Sequence, residues 1–405
     1  MLKLKRARIR RFKSIWELEI GLAANLLVLI GQNGAGKSST LQAFALLREF
    51  ARGKVASFFD ARGWDPMDVR HRGRTSVPSI IGYDLVLEAP DGARFLWEID
   101  WGLSSGRTRR EMIWRVSDGN WTRLVDYRFP GLLRPNRPSP FRGLRLSGSI
   151  LNAVDPEEIS PEIDLAPLQQ WASGIVSLEL LSPHAMRRGI RTHATDLGDR
   201  GERLAGFLAG LPAESRARIV DRLKRYYPLE GLTTVRKRAG WIDLSIAEAI
   251  SGVSVKAEHV SDGFLRLLAI CTIPELGPSA SLVLLDEIED GIEPHILPDV
   301  VRDLREESSS QIVFTSHSPI LANYVNPDEV AIVARDELGR TFAAQASELR
   351  TFRPRDTGFG TGELWINTSL RALNKQALEA RSRQLRTSDS FVSAQSKRAA
   401  FVEAM

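Results

Sequence analysis

Cysteine is almost missing. Cys271 stands alone among 405 residues, which excludes an internal disulfide and makes a cytoplasmic setting the expectation. No apolar run approaches the ~20 residues of a transmembrane helix; the longest near the start, Ile20 to Ile30, is broken by Gly21 and Asn25. No membrane span is therefore expected, and Met1 to Arg6 lack the pattern of a secretory signal. Heptads and internal repeats are absent too, which excludes long coiled-coil arms and solenoids. Lysine is scarce, with 10 Lys against 45 Arg. That bias has two readings, phosphate recognition by guanidinium groups or a GC-rich coding sequence with no function attached.

What is present is ordinary for a globular protein. Apolar residues make up 43% and charged residues 26%, and the net charge is +5, in a chain long enough for one to three domains of about 150 residues. The densest basic cluster is Lys3, Lys5, Arg6, Arg8, Arg10, Arg11 and Lys13, with no acid among them. It suits either nucleic-acid phosphates or an edge strand guarded against aggregation.

The pattern along the chain changes in stages. An apolar strand, Leu26 to Ile30, belongs inside a sheet covered on both faces; a glycine-rich turn follows, then a helical pattern from Ser38 with Leu41, Phe44, Ala45 and Leu47. Residues 78–128 alternate with period two, with turns at Pro90-Asp91-Gly92 and Ser117-Asp118-Gly119-Asn120, the signature of an antiparallel sheet. Residues 129–168 hold Pro135, Pro138, Pro140, Pro156 and Pro161 and read as loops. Helical patterns at Leu204 to Leu211 and Ser215 to Tyr226 precede strands near Thr233 to Val235 and Gly240 to Ser245; helices and strands alternate from Ser261 to about Val325. One or two strands, the stretch Gly358-Phe359-Gly360-Thr361-Gly362 and a basic helical tail from Asn374 complete the chain.

Three strand ends carry the chemistry. Gly31-Gln32-Asn33-Gly34-Ala35-Gly36-Lys37-Ser38 fits G-x-x-x-x-G-K-[ST] between a buried strand and a helix. Loop amides from Gly31, Asn33, Gly34, Ala35 and Gly36, and the first helical residues including Ser39, suit phosphates. Lys37 suits the β- and γ-phosphates, and the Ser38 hydroxyl suits Mg²⁺. The second strand, Leu282 to Leu285, ends in Asp286-Glu287, a metal ligand followed by a group able to polarise water. The third, Ile312 to Phe314, ends at Thr315-Ser316-His317-Ser318-Pro319, placing His317 within reach of a γ-phosphate. Ser261-Asp262-Gly263 opens another helix, with Ser261 as N-cap and the amide of Gly263 available to an anion. Lying on no strand beside the glycine loop, it suits a phosphate held by another subunit. Ser117-Asp118-Gly119, between alternating strands, is simply a hairpin turn.

In that order the four elements resemble the Walker A, signature, Walker B and H-loop of ABC-type ATPase heads. Phe12-Lys13-Ser14-Ile15, Leu265-Arg266-Leu267-Leu268-Ala269, Asp286 through Pro294 and Thr315 through Pro319 further resemble the RecF-like and OLD-like ATPases, relatives of the SMC heads. Leu181-Ser182-Pro183 with Met186-Arg187 is similar to the same group. The signature is Ser-Asp-Gly rather than Leu-Ser-Gly-Gly-Gln, and about 200 residues separate it from the glycine loop, unlike a transporter subunit. No Asp-x-Asp follows Pro319, so the Toprim nuclease of OLD proteins is not expected in this chain. Gln169 and Gln170 are Q-loop candidates by residue type only.

The resemblance implies an α/β fold: an ABC-type P-loop NTPase head with a mixed central sheet, made of residues 1–55 and 250–345. A β-rich then helical insertion is expected over 56–249, and a C-terminal extension over 346–405. It implies Mg-ATP bound between two copies of the chain. Gly31 to Ser39, Lys37, Asp286, Glu287 and His317 of one copy would face Ser261 and Gly263 of the other, with Ser38 and Asp286 as metal ligands and Glu287 and His317 as catalytic groups. The cycle is expected to serve double-stranded DNA binding and repair, through Arg6 to Lys13 or Arg187, Arg188 and Arg191. The alternative is an ATPase scaffold that licenses a separately encoded effector nuclease in anti-phage defence, docking at Gly358 to Trp365 and the tail.

Overall fold

A computed structural model of the chain describes residues 1–22, 24–73, 77–129, 131–133, 143–155, 164–353 and 359–389. The five loop prolines named above, Gly358 and the tail beyond Asp389 lie outside them. The first hairpin is β1 (Lys3–Phe12) with β2 (Ile15–Gly21), followed by β3 (Leu26–Ile30) and the helix Lys37–Arg52. An antiparallel meander follows, made of β4 (Ile80–Glu88), β5 (Arg94–Gly102), β6 (Arg107–Ser117), β7 (Asn120–Arg128) and β8 (Gly131–Leu133). Then come β9 (Ile175–Leu178) and the strands β10 (Leu229–Arg236), β11 (Ile242–Glu248) and β12 (Ser254–Lys256). The last four are β13 (Leu282–Leu285), β14 (Gln311–Ser316), β15 (Val330–Arg335) and β16 (Thr341–Gln345). The fold is mixed α/β.

Among the described residues, thirteen strands form one sheet in the order β8-β7-β6-β5-β4-β1-β2-β16-β15-β3-β14-β13-β9; β10, β11 and β12 form a second, antiparallel one. β3, β14, β13 and β9 run parallel, which is why their residues are apolar on both faces. Leu27 and Leu29 of β3 face one core with Phe44 and Leu47 of the following helix, while Leu26, Val28 and Ile30 face the other with Leu265 and Leu268. The helix Lys37–Arg52 is buried almost all round and stops at Gly53, whose φ of 66° lets the chain turn back.

The antiparallel strands of the 56–249 segment join the main sheet: β4 pairs with β1 from Lys3↔Glu88 to Arg10↔Gly82, and β9 pairs with β13 at the far edge, so the segment extends the sheet at both ends. One sequence expectation is corrected. The strand β1 is not an edge strand, since β2 and β4 flank it. Its cations meet acids on those neighbours: Arg6 and Arg8 pair with Glu19, the latter at 2.9 Å, and Arg10 lies 3.0 Å from both Asp84 and Asp100. The cluster that looks free in one dimension is a cross-strand charge ladder in three, and Ala7 and Ile9 on its reverse face are fully buried.

Candidate functional site

The parallel register brings the three strand ends together. Ile30 pairs with Ser316 across β3 and β14, and Leu285 with Phe314 across β13 and β14. The glycine loop, Asp286-Glu287 and His317 therefore leave one sheet edge side by side, spread over about 10 Å at normal strand spacing. The sheet's carboxyl edge is where α/β folds bind ligands.

Two glycines of the loop are fixed by close approach. A β-carbon on Gly31 would lie 2.1 Å from the Val333 carbonyl oxygen of β15. Gly36 has φ 113°, and a β-carbon there would lie 2.3 Å from the Thr341 hydroxyl, which itself sits 2.7 Å from both the Ala35 carbonyl and the Ser14 hydroxyl. β16 and the β1–β2 turn thus press on the loop from behind. Gln32, Asn33 and Gly34 are exposed, whereas Lys37 is buried. The Lys37 ammonium donates to the carbonyls of Gly31 at 2.9 Å and Gln32 at 3.1 Å. Burial lowers its pKa, against the opposing pull of Asp286, Glu287 and Glu289. No side chain caps the helix that starts at Lys37, so its first amides remain donors for an anion.

Across the edge, Thr315 organises the acids. Its fully buried hydroxyl donates to Asp286 Oδ1 at 2.5 Å and accepts the Glu287 N–H at 2.8 Å. Glu287 is exposed and held at φ 48°, a left-handed conformation that costs a non-glycine residue about 1 kcal/mol or more. The His317 N–H donates to Glu289 Oε1. Sequence reasoning gave no role to Thr315, Thr341, Ser14 or Glu289; Thr315, Glu289 and Ser14 stood inside the quoted motifs, while Thr341 did not and meets Ser14, 327 residues away, only in the fold.

Ser261-Asp262-Gly263 sits at the N-terminus of the helix Asp262–Thr272, with the Ser261 hydroxyl accepting the Phe264 N–H at 3.3 Å. Ser261 and Asp262 are exposed. A β-carbon on Gly263 would lie 2.2 Å from the Gly291 carbonyl oxygen, and Arg266 pairs with Asp290 at 2.6 Å. The signature helix is therefore packed against the segment that follows Asp286-Glu287. Gln169 and Gln170 lie elsewhere. Their helix, Ala166–Ser173, leads into the amino end of β9, and Gln170 lines a cavity of about 670 Å³ with Met1, Arg52 and Ser281.

The donors fit Mg²⁺ carried in on a nucleotide. Among the described residues no cluster of three or more His, Cys, Asp or Glu side chains could hold a metal unaided. One hydroxyl, Ser38, and one carboxylate, Asp286, suit an ion that takes its other ligands from phosphates and water. Among the described residues, no helix is long and apolar enough to cross a membrane.

The glycine loop at this edge carries a P-loop motif, and comparisons with known proteins bear on the fold around it. Residues 123–323 match the family "AAA domain, putative AbiEii toxin, Type IV TA system", a span that includes Ser261, Asp286, Glu287 and His317 but not the glycine loop. An SMC head solved with the C-winged helix domain of ScpA aligns over 84% of this chain and 97% of its own, at 14% identity and a TM-score of 0.53. The SMC head domain from Thermotoga maritima aligns over 85% and 98%, at 15% identity and a TM-score of 0.45. A Pyrococcus furiosus Smc head with an extended coiled coil, bound to the C-terminal domain of ScpA, aligns over 85% and 96%, at 14% and 0.49. No curated protein matches the sequence. The chain has the fold of an SMC head, and one edge of its sheet carries a P-loop motif.

Proposed function

We propose that the chain binds Mg-ATP between two copies of itself, hydrolyses it, and couples the cycle to DNA binding and repair in the manner of RecF-like proteins. The observation that carries the reading is the division of the site. Gly31 to Ser39, Asp286, Glu287 and His317 share one sheet edge, while Ser261 and Asp262 present an exposed helix start that belongs to no strand of that edge. In this reading the loop amides and Lys37 hold the phosphates, and Ser38 with Asp286 holds Mg²⁺, whose charge neutralises the transferring phosphoryl group. Glu287 polarises the attacking water, His317 contacts the γ-phosphate, and Ser261 and Gly263 of the second copy close the site.

A second reading, a scaffold for a separate effector nuclease as in OLD-like defence systems, is favoured by exposed apolar residues. Ile320 and Tyr324 follow His317 and, with Phe359 and Ile366, are 47–66% exposed, on or beside the contacting helices Pro319–Ala322 and Thr361–Asn367. Such a patch marks protein contact, and one SMC head compared above was solved with a domain of ScpA bound. Steady-state ATP hydrolysis with and without duplex DNA, at two salt concentrations and with Glu287→Gln as background, separates the two. Stimulation that fades with salt supports the DNA reading; a rate indifferent to DNA supports the scaffold; no turnover above the Glu287→Gln background overturns both.

A further inference from the structure

Two basic regions had been candidates for a polyanion, and the charge ladder on β1 leaves one. Of its three arginines, Arg187 is paired with Asp262, and Arg191 borders the small sheet. The segment before Arg191 extends that sheet: Ile190 and Ile242 exchange backbone hydrogen bonds of 3.1 and 2.7 Å. Antiparallel pairing then sets Arg191 opposite Trp241, and its guanidinium carbon lies 4.9 Å from the indole centroid. Val235↔Asp243 and Ser245↔Lys256 are further pairs on the same face. That face is the open one, because Ile242, Leu244 and Ile246 point from β11 into the core.

Arg191 and Lys256 are exposed, and among the described residues no carboxylate lies within 4.0 Å of them. Lys237 is paired with Asp243. At the hairpin tip the Lys237 N–H donates to the Trp241 carbonyl at 2.7 Å, and Arg236, opposite Ile242, belongs to the other face. Trp241 is 40% exposed despite its stacked guanidinium. Between the cations the face carries Thr233, Ser245, Ala247 and Gly231, side chains small enough for another backbone to lie close. Unneutralised guanidinium and ammonium groups flanking a small-residue surface, with an aromatic at its end, fit a phosphate backbone and its bases.

We infer that the open face of the β10–β11–β12 sheet, with Arg191, Trp241 and Lys256, is the nucleic-acid-binding surface of this protein. The inference rests on the DNA reading proposed above and locates it. The test is fluorescence anisotropy of the full chain with a labelled duplex of about 30 bp and its single strand, over about 0.05–0.2 M salt. Arg191→Ala with Lys256→Ala, Trp241→Ala, and a control at exposed Lys54 (Lys54→Ala) are compared after their unfolding midpoints have been matched. The double variant is expected to bind at least about tenfold more weakly and to lose about two units of slope in log Kd against log salt, roughly 0.9 per phosphate contact, while Lys54→Ala tracks the wild type. Greater loss for the single strand in Trp241→Ala identifies stacked bases as the ligand; equal loss identifies the duplex backbone. Wild-type chain that binds neither form overturns the inference and the DNA reading together. Wild-type binding with an unchanged slope in the double variant overturns the surface alone.

Discussion

Thr315→Val is a nearly isosteric change that removes one hydroxyl from a fully buried position. That hydroxyl makes two bonds, at 2.5 Å to the Asp286 carboxylate and at 2.8 Å from the Glu287 amide. A neutral bond is worth about 1 kcal/mol and one to a charged group about 2 kcal/mol, so the unfolding free energy should fall by about 3 kcal/mol. The catalytic effect should be larger in proportion. Without its amide partner Glu287 has less reason to stay at φ 48°, and a carboxylate displaced by about 1 Å costs on the order of a hundredfold in turnover. Nucleotide affinity should change only a few-fold, because Lys37 and the glycine loop are held by other contacts. Denaturant unfolding, equilibrium nucleotide binding and steady-state hydrolysis read the three effects, and Thr315→Ser should restore turnover by restoring the hydroxyl. A Val variant that is destabilised yet turns over ATP like the wild type would show that Thr315 merely packs, and the reasoning would fail.

Gly263→Ala should leave nucleotide binding to a single chain intact while abolishing nucleotide-dependent association, since its β-carbon would lie 2.2 Å from the Gly291 carbonyl; sedimentation with and without Mg-ATP checks this. Glu111 is fully buried and accepts bonds from Trp97 Nε1, the Ser149 hydroxyl and the Ile150 amide. Burial pushes its carboxyl up to about 7, against the pull of those three donors. A raised carboxyl pKa gives stability that is complete below the ordinary value and is lost as pH rises through about 7, a total of about 3 kcal/mol. The stability difference between wild type and Glu111→Gln should therefore shrink from pH 5 to pH 8 in urea titrations, and parallel profiles would contradict it. Arg8→Ala should lower stability and leave DNA affinity untouched, because Glu19 already holds the guanidinium at 2.9 Å; an equilibrium binding titration decides.

How much of this was legible in the sequence depended on range. The loop from Gly31 to Ser38, the Asp286-Glu287 pair and His317 each end an apolar strand, and a local pattern of that kind survives being read in one dimension. The hairpin turns at Asp91-Gly92 and Asp118-Gly119 were equally plain, since both glycines and Asp118 take positive φ. Pairings across long separations left no such mark. Nothing in Lys3 to Phe12 says that its partner is Ile80 to Glu88, so the arginines looked free. Nor does Thr341 look like part of a phosphate loop until β16 is laid against β2 and its hydroxyl meets Ala35. Gln169 and Gln170 matched the site by residue type, but the direction of β9 carries them to the opposite edge.

The most direct test of the central claim is the mass of the Glu287→Gln protein by light scattering at saturating Mg-ATP. If ATP is enclosed between two copies, loss of the carboxylate that polarises water should trap the sandwich, and the 45.1 kDa chain should run at twice its mass, returning to a single chain when Mg-ATP is replaced by Mg-ADP. A protein that binds Mg-ATP and stays at the mass of one chain would contradict the account.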